Sequence, residues 1–462
     1  MKPERVFYYF REISNIPRCS GNERGISDYI KSVGEGLGLY TKQDELLNVY
    51  IRKEASKGAE NAPGVIIQGH MDMVCEKSTD SSHDFSKDKI EWVEKGDLLF
   101  ANNTTLGADN GIAIAMALAI LEDDTISHPQ IEVIITTGEE TEMEGALKLS
   151  KNLLKGDYLL NIDSEEEGIL TLGSAGGILY TGKLSPEYDE KEANMVKLKF
   201  DGFFGGHSGM DIDKDRRNMI KVLVDFAKSY NCGIGDILSG TKDNAIPRMG
   251  YISVEEDSSL PELIKEFEKK YSGEESLKIT LEESFTGKKF TDGFRKKLFG
   301  ILTELPSGVN SKDETGVESS SNLAVVEKTD DKYKILDSIR SSNNHVLNDM
   351  MENFRKISEQ YGVAVDFSGE YPSWEKRDHS TLQKIANDVY ERVTGKKFEN
   401  VVIHAGLECG AIYEKYPNLD IISFGPDIKD AHTPKENLSI SSTERVFDYT
   451  VELIEEIAKI EK

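Results

Sequence analysis

Seven residues of a kind that binds metal or moves protons stand at the ends of strand-like segments. His70 and Asp72 follow the apolar run Val65-Ile66-Ile67-Gln68, and Asp109 sits in Leu106-Gly107-Ala108-Asp109-Asn110-Gly111. Glu139 and Glu140 follow Ile131 to Gly138, Asp163 closes Leu159-Leu160-Asn161-Ile162, and His432 lies beyond Phe424-Gly425-Pro426. Imidazole and carboxylate are zinc ligands. In an open α/β sheet, side chains outside the carboxyl ends of the strands converge even when far apart in sequence. The set predicts a two-zinc hydrolase site.

Each residue has its own reading. His70 and Asp72 are two apart, so on an extended chain they point the same way. A metal-bound imidazole commonly gives its other N–H to a carboxylate, which suits Asp72; a lone His-x-Asp is otherwise a polar strand end. Asp109 can bridge two cations roughly 3.5–4 Å apart, or it can cap the helix that follows. Glu139 and Glu140, adjacent and repelling, call for a cation nearby. One can bind metal while the other takes a proton from water and hands it to the leaving amine; spacing alone does not say which, and a solvated acidic turn is the alternative. Asp163 is a natural terminal ligand, whereas Glu165-Glu166-Glu167 beyond it reads as solvated surface. His432 would complete the second metal.

Further along, Phe204-Gly205-Gly206-His207-Ser208-Gly209 presents one histidine on a glycine-rich loop. His207 could polarise a carbonyl or stabilise an oxyanion; a tight strand-to-helix turn explains the glycines equally well. Asn244 and Arg340 could hold the polar ends of a substrate, Arg through its planar fork.

These residues need a scaffold. The segments Val65 to Gln68, Ile131 to Thr136, Tyr158 to Ile162 and Ile421 to Phe424 read as short buried strands, with a helical run from Gly111 to Leu121 between the first two. Two helices open the chain, one with Val6, Phe7, Phe10 and Ile13 on a face and one with Ile26, Tyr29 and Ile30. Alternating strands and helices predict an α/β fold with a mostly parallel, helix-flanked sheet. After Gly173-Ser174-Ala175-Gly176-Gly177 the texture becomes charged and alternating, which predicts an α+β second domain. Sheet-type sequence is expected again near residue 380, and a last helix carries Val446, Val451, Ile454 and Ile457, with Ser441-x-x-Glu444 as its capping box. The expected division is residues 1–180 and 376–462 for a catalytic zinc-binding domain, with 181–375 inserted as a lid. Three consecutive domains are the alternative; four supposed ligand segments before residue 170 and one at 432 favour insertion.

Bulk properties narrow the partners. Across 462 residues, 56 Lys and Arg face 83 Asp and Glu, a net charge of −27. That argues against nucleic-acid and anionic-membrane surfaces. The longest strongly apolar stretch, Ile112 to Leu121, is far short of the roughly 20 residues a spanning helix needs. The start Met1-Lys2-Pro3-Glu4 leads into no signal-like core, and Cys19, Cys75, Cys232 and Cys409 are scattered. A cytoplasmic enzyme with reduced thiols is the expectation.

Several segments in order carry a resemblance that runs nearly end to end. They are Ile16-Pro17-Arg18-Cys19-Ser20-Gly21, Gly69-His70-Met71-Asp72-Met73-Val74-Cys75, His83-Asp84-Phe85, the Asp109 and Glu139-Glu140 segments, Gly205-Gly206-His207-Ser208-Gly209 and His404-Ala405-Gly406-Leu407-Glu408-Cys409-Gly410. In these the chain resembles the aminoacyl-histidine (Xaa-His, or cytosol non-specific) dipeptidases of the two-zinc aminoacylase, carboxypeptidase and carnosinase superfamily. The resemblance implies His70 and Asp163 on one zinc, Glu140 and His432 on the other, Asp109 as bridge, Glu139 as general base and Asp72 as its supporting carboxylate. It implies a lid that also dimerises and whose His207 assists catalysis, with Asn244, Arg340, His404 and Glu408 as substrate-site residues. Manganese or cobalt could substitute for zinc. Residues 255–333 match no motif. The implied activity is dipeptide hydrolysis; an N-acyl amino acid amidohydrolase would use the same metals, and a non-catalytic metal-stabilised binding protein would not need Glu139.

Overall fold

The computed structural model describes residues 3–273 and 276–461. The chain forms two compact units, one made of residues 1–173, 374–402 and 407–462, the other of 174–373 with 403–406.

In the first unit, eight strands pair in the order Tyr40–Gln43, Val49–Lys53, Ile131–Thr136, Val65–His70, Tyr158–Asn161, Asp420–Ser423, Ile169–Ser174 and Glu399–Ile403. The parallel pairing expected from the sequence joins the four central strands, Ile131–Thr136 to Asp420–Ser423; the pairs Tyr40–Gln43 with Val49–Lys53, Val49–Lys53 with Ile131–Thr136 and Asp420–Ser423 with Ile169–Ser174 are antiparallel. The central strands are mostly apolar because both faces are covered. Val65, Ile67, Val133, Leu160 and Ile422 join one core cluster, while Ile66, Ile134, Leu159 and Ile421 join another. This is the two-residue alternation of a strand buried on each side.

The helix Ala108–Glu122 is buried on every face from Gly111 to Leu121. It packs between helix Glu4–Ser14 and strand Val65–His70, so its uniform apolarity belongs to a core. Among the described residues no helix is long and apolar enough to cross a membrane. A Cβ at Gly69 would collide with Asn110 Oδ1 and lie 2.8 Å from Ala113 Cβ. Only glycine lets this helix start directly against the strand that carries His70.

Three sequence expectations change. Residues 381–394 form a helix, not a strand: Ser380 Oγ accepts the Gln383 N–H at 2.8 Å, and Leu382, Ala386, Val389 and Tyr390 are buried at helical spacing. The final helix, Ile440–Ile457, is capped by Ser439, whose Oγ accepts from Ser442 N; Ser441 Oγ instead donates to Asp97 at 2.8 Å. The third concerns the thiols. Cys19 and Cys75 form a disulfide, 56 residues apart in sequence with Cα atoms 5.7 Å apart. The Cys19 segment runs beside Met73 in a parallel bridge, and that approach has no trace in residue spacing. Cys232 and Cys409 are free. Denatured, unreduced protein is therefore expected to titrate two thiols and reduced protein four; four before reduction would remove the bond.

The second unit is built on a nine-stranded antiparallel sheet. Helices Met219–Ser229, Asp292–Glu304 and Asn344–Gln360 share one apolar core with it. Alternation dominates its strands, as Ile234–Ser239 shows with Ile237 buried and Leu238 exposed. Strand Lys278–Phe290 runs along one end of the sheet.

Candidate metal centre

Asp109 decides between its two readings through its backbone. Its φ and ψ of −77° and 107° are not helical, and it makes no side-chain cap. The carboxylate instead reaches two imidazoles: Oδ1 lies 3.2 Å from His70 Nε2 and Oδ2 lies 3.1 Å from His432 Nε2. Around these, Asp163 Oδ1 is 3.4 Å and Glu139 Oε2 is 3.8 Å from His70 Nε2, while Glu140 Oε2 is 3.0 Å from His432 Nε2. One ligand atom each from His70, Asp109 and Glu140 falls within 4.8 Å of the others. The structure thus gathers all six residues, and the two glutamates diverge as neighbours on a turn must.

Asp72 lies behind the cluster, wholly buried. His70 Nδ1 is 3.2 Å from its backbone oxygen and 3.5 Å from its carboxylate. That carboxylate accepts the backbone N–H groups of Glu139 and Glu140 at 3.1 and 3.2 Å and the Ser20 hydroxyl at 2.8 Å. Burial works to raise its pKa, yet these bonds and His70 bring it down to about 2.

Two further residues, missed in the sequence, hold the loops. Arg18 is buried and donates to the carbonyls of Met71, Asp72 and Gly107. Glu436, on the His432 loop, accepts the backbone N–H groups of Leu106, Gly107, Ala108 and Asp109 at 2.7, 2.9, 2.8 and 3.3 Å. One carboxylate thereby fastens the loop of His432 to the loop of Asp109. His432 itself has φ 62°, a conformation L-residues avoid, and it is held there by this fastening. The only sequence signal was an acidic residue four positions after a loop histidine.

The electrostatics fit a cation. Glu140 Oε1 and Asp163 Oδ1 are buried without a hydrogen-bond partner, a costly state for an acceptor unless a positive centre faces it. Burial, aided by neighbouring acids, raises Glu139 well above the usual carboxylate range and Asp163 to about 6. Bonds to Asp109 and Glu140 lift His432 to about 11. Burial opposes protonation of His70, yet the surrounding carboxylates, Asp163 foremost, carry it well above its ordinary value. A pocket whose crowded acids hold protons on both imidazoles draws in positive charge, and N and O donors of this kind suit a divalent metal.

Glu408, unlike the other proposed substrate-site residues, lies in the first unit. It is wholly buried, and its Oε2 is taken by Gln68 and Thr136. His207, Asn244, Arg340 and His404 belong to the second unit. There His207 Nδ1 accepts the N–H groups of Gly209 and Met210 at 3.2 and 3.1 Å. Burial, with Arg340 nearby, lowers its pKa, so the neutral ring carries its proton on Nε2. Arg340 donates to Tyr371 Oη, and its Nη2 lies 3.5 Å from Ser208 Oγ. His404 Nε2 is 2.7 Å from Ser320 Oγ, and burial holds that imidazole down at about 4. A Cβ at Gly209 would collide with the His404 carbonyl oxygen, which explains the glycine after Ser208. Asn244 is exposed and contributes its carbonyl oxygen to Ser208 N at 2.9 Å.

Residues 66–456 match the model of peptidase family M20/M25/M40. The chain is 34% identical to the cytosol non-specific dipeptidase of Escherichia coli (strain K12) over 479 residues, covering 99% of this chain and 98% of that protein. It superposes on the crystal structure of the aminoacylhistidine dipeptidase from Vibrio alginolyticus with a TM-score of 0.89 and 34% identity, over 100% of this chain and 98% of that one. A tripeptidase from Staphylococcus aureus shares the fold at 17% identity and a TM-score of 0.59, over 100% of both chains.

Proposed function

The chain belongs to peptidase family M20/M25/M40, and from that premise we propose that it is a metal-dependent dipeptidase working at the cluster around Asp109. The observation that carries the reading is the carboxylate of Asp109, one oxygen beside His70 and the other beside His432. His70 and Asp163 would hold one divalent cation, Glu140 and His432 a second, with Asp109 shared. Zinc is the proposed metal, with manganese or cobalt as substitutes. Bound cations of this kind acidify water and polarise a peptide carbonyl.

The chain's own residues do the rest. Glu139, 15% exposed at its side chain, accepts a proton from the attacking water at its carboxylate and returns it to the departing amine. Asp72 fixes the ring of His70 and, through two backbone bonds, the direction in which Glu139 and Glu140 leave the strand. His207, with its proton on Nε2, is the proposed donor to the oxyanion, and Asn244 and Arg340 the proposed holders of the substrate's polar ends.

Metal-loaded protein is expected to hydrolyse free-amine dipeptides, Xaa-His among them, and to leave N-acetyl amino acids intact. Chelation should abolish turnover, and added zinc, manganese or cobalt should restore it. Cleavage of the N-acetyl panel alone would make the protein an amidohydrolase; no cleavage of either would leave a metal-stabilised binding protein.

A homodimer is proposed through the second unit. Its strand Lys278–Phe290 lies at one end of the sheet order with Leu281 57% and Phe285 39% exposed, and an edge of that length is usually covered. Sedimentation is expected to give twice the 51.6 kDa chain mass; a monomer at micromolar concentration would refute it. Cytoplasmic residence is proposed from the Escherichia coli relative's name. Disulfides are rare in that compartment, so the Cys19–Cys75 bond would open there.

A further inference from the structure

We infer that Glu408 is a positioning residue, locking from behind the three strand ends that present His70, the Glu139-Glu140 pair and Asp163. The inference rests on the metal-dependent reading above.

Glu408 opens helix Glu408–Lys415 and has no exposed surface. Its Oε2 accepts from Gln68 Nε2 and from Thr136 Oγ1, each at 2.6 Å. Gln68 Oε1 in turn accepts from Asn161 Nδ2 at 2.5 Å. Gln68, Thr136 and Asn161 lie on adjacent parallel strands, with Gln68 directly opposite Asn161 and His70 directly opposite Thr136. All three are fully buried polar residues in mostly apolar strands. They are spent on this network.

The register gives the network its leverage. Side chains two apart on a strand share a face, so Gln68 stands behind His70. Asn161 precedes Asp163 by two residues, and Thr136 ends the strand that turns into Gly138-Glu139-Glu140. A shift of strand Val65–His70 or Ile131–Thr136 along its axis would stretch a short hydrogen bond to the Glu408 carboxyl group, and a shift of Tyr158–Asn161 would stretch the bond from Asn161 to Gln68. Burying a carboxyl whose hydrogen-bond partners are all neutral is unfavourable unless the bonds are well made and positive charge is near. The bonds are short here, and the acid cluster in front is where cations would collect. The other oxygen of Glu408, Oε1, is buried without a hydrogen-bond partner, so the carboxyl acts on the strands through Oε2, by way of Gln68 and Thr136.

The test compares Glu408→Ala, Glu408→Gln and Thr136→Val with the wild type. Zinc affinity is read by competition with a chromogenic chelator, the cobalt-loaded visible spectrum reports ligand geometry, and kcat and KM on a dipeptide are measured at saturating metal. Outer-shell partners of metal sites are worth about 10–100-fold in affinity or activity. For folded Glu408→Ala, zinc affinity is expected to fall about tenfold or more, with a changed cobalt spectrum, a lower kcat and an unchanged KM. Glu408→Gln keeps one acceptor oxygen and should fall between Ala and wild type. A fold that is merely loosened would not separate kcat from KM or be rescued by Gln. Wild-type zinc affinity and kcat in Glu408→Ala would overturn the inference; if that variant does not fold, wild-type values in both Glu408→Gln and Thr136→Val would do so. A wild-type protein that binds no zinc and cleaves no dipeptide would overturn the functional reading and this inference together.

Discussion

Glu139→Gln is expected to lower kcat about 10³-fold, within the 10²–10⁴ range of general acid–base catalysis, while metal content and fold stay at wild-type levels. The amide matches the carboxylate in shape, so the turn that carries it is preserved. Its backbone N–H still meets Asp72 Oδ1 at 3.1 Å. What it loses is a site for a proton. Glu139 is suited to that task because burial and the acids around it raise its pKa well above the usual carboxylate range, which makes it a stronger base than an exposed glutamate. KM should change little. Steady-state kinetics on a dipeptide, with metal measured on the same sample, decides the matter: near-wild-type turnover by a metal-loaded variant would remove Glu139 as the base.

Asp109→Ala should act at an earlier stage, by emptying the site. It deletes the one group among the described residues that touches both imidazoles, leaving His70 with Asp163 and His432 with Glu140. Dialysed variant is expected to keep less than half the wild-type metal, and activity should fall to background. Stability gives a second readout. A ligand that binds only the folded state stabilises it by about 2.7 kcal/mol at a hundred times its Kd, so zinc should raise the melting temperature of the wild type and not that of the variant. An equal zinc-induced shift in both would mean that Asp109 is dispensable for binding. Because Glu436 holds this loop by backbone groups alone, removing the Asp109 side chain should leave the loop itself in place.

The two substitutions separate binding from chemistry. Glu139→Gln predicts a loaded but slow protein, Asp109→Ala an unloaded one. That separation has a structural basis, because adjacent glutamates face different histidines, Glu139 toward His70 and Glu140 toward His432.

Much of this was legible in the sequence because strands and helices announce themselves by local pattern. Apolar runs of four to six residues marked the central strands, and the residues just after each run fell at a carboxyl end, where parallel strands deliver their side chains. That reasoning reached His70, Asp109, Glu139, Glu140, Asp163 and His432 without any knowledge of distance. It failed where local pattern was ambiguous: sheet-type sequence was expected near residue 380, yet residues 381–394 form a helix with Leu382, Ala386, Val389 and Tyr390 at helical spacing.

The sequence by itself determined the residue types, the strand ends that carry them and the acidity that draws in cations, since each depends on side-chain chemistry and short-range periodicity. Only the tertiary structure decided that Asp109 bridges two histidines rather than capping a helix, and which glutamate faces which imidazole. It alone brought Cys19 to Cys75, Glu436 to the Asp109 loop and Glu408 beneath Gln68 and Thr136. Those contacts join segments from 56 to 340 residues apart, and packing of the whole sheet and its helices, rather than any local preference, sets which side chains meet at that range.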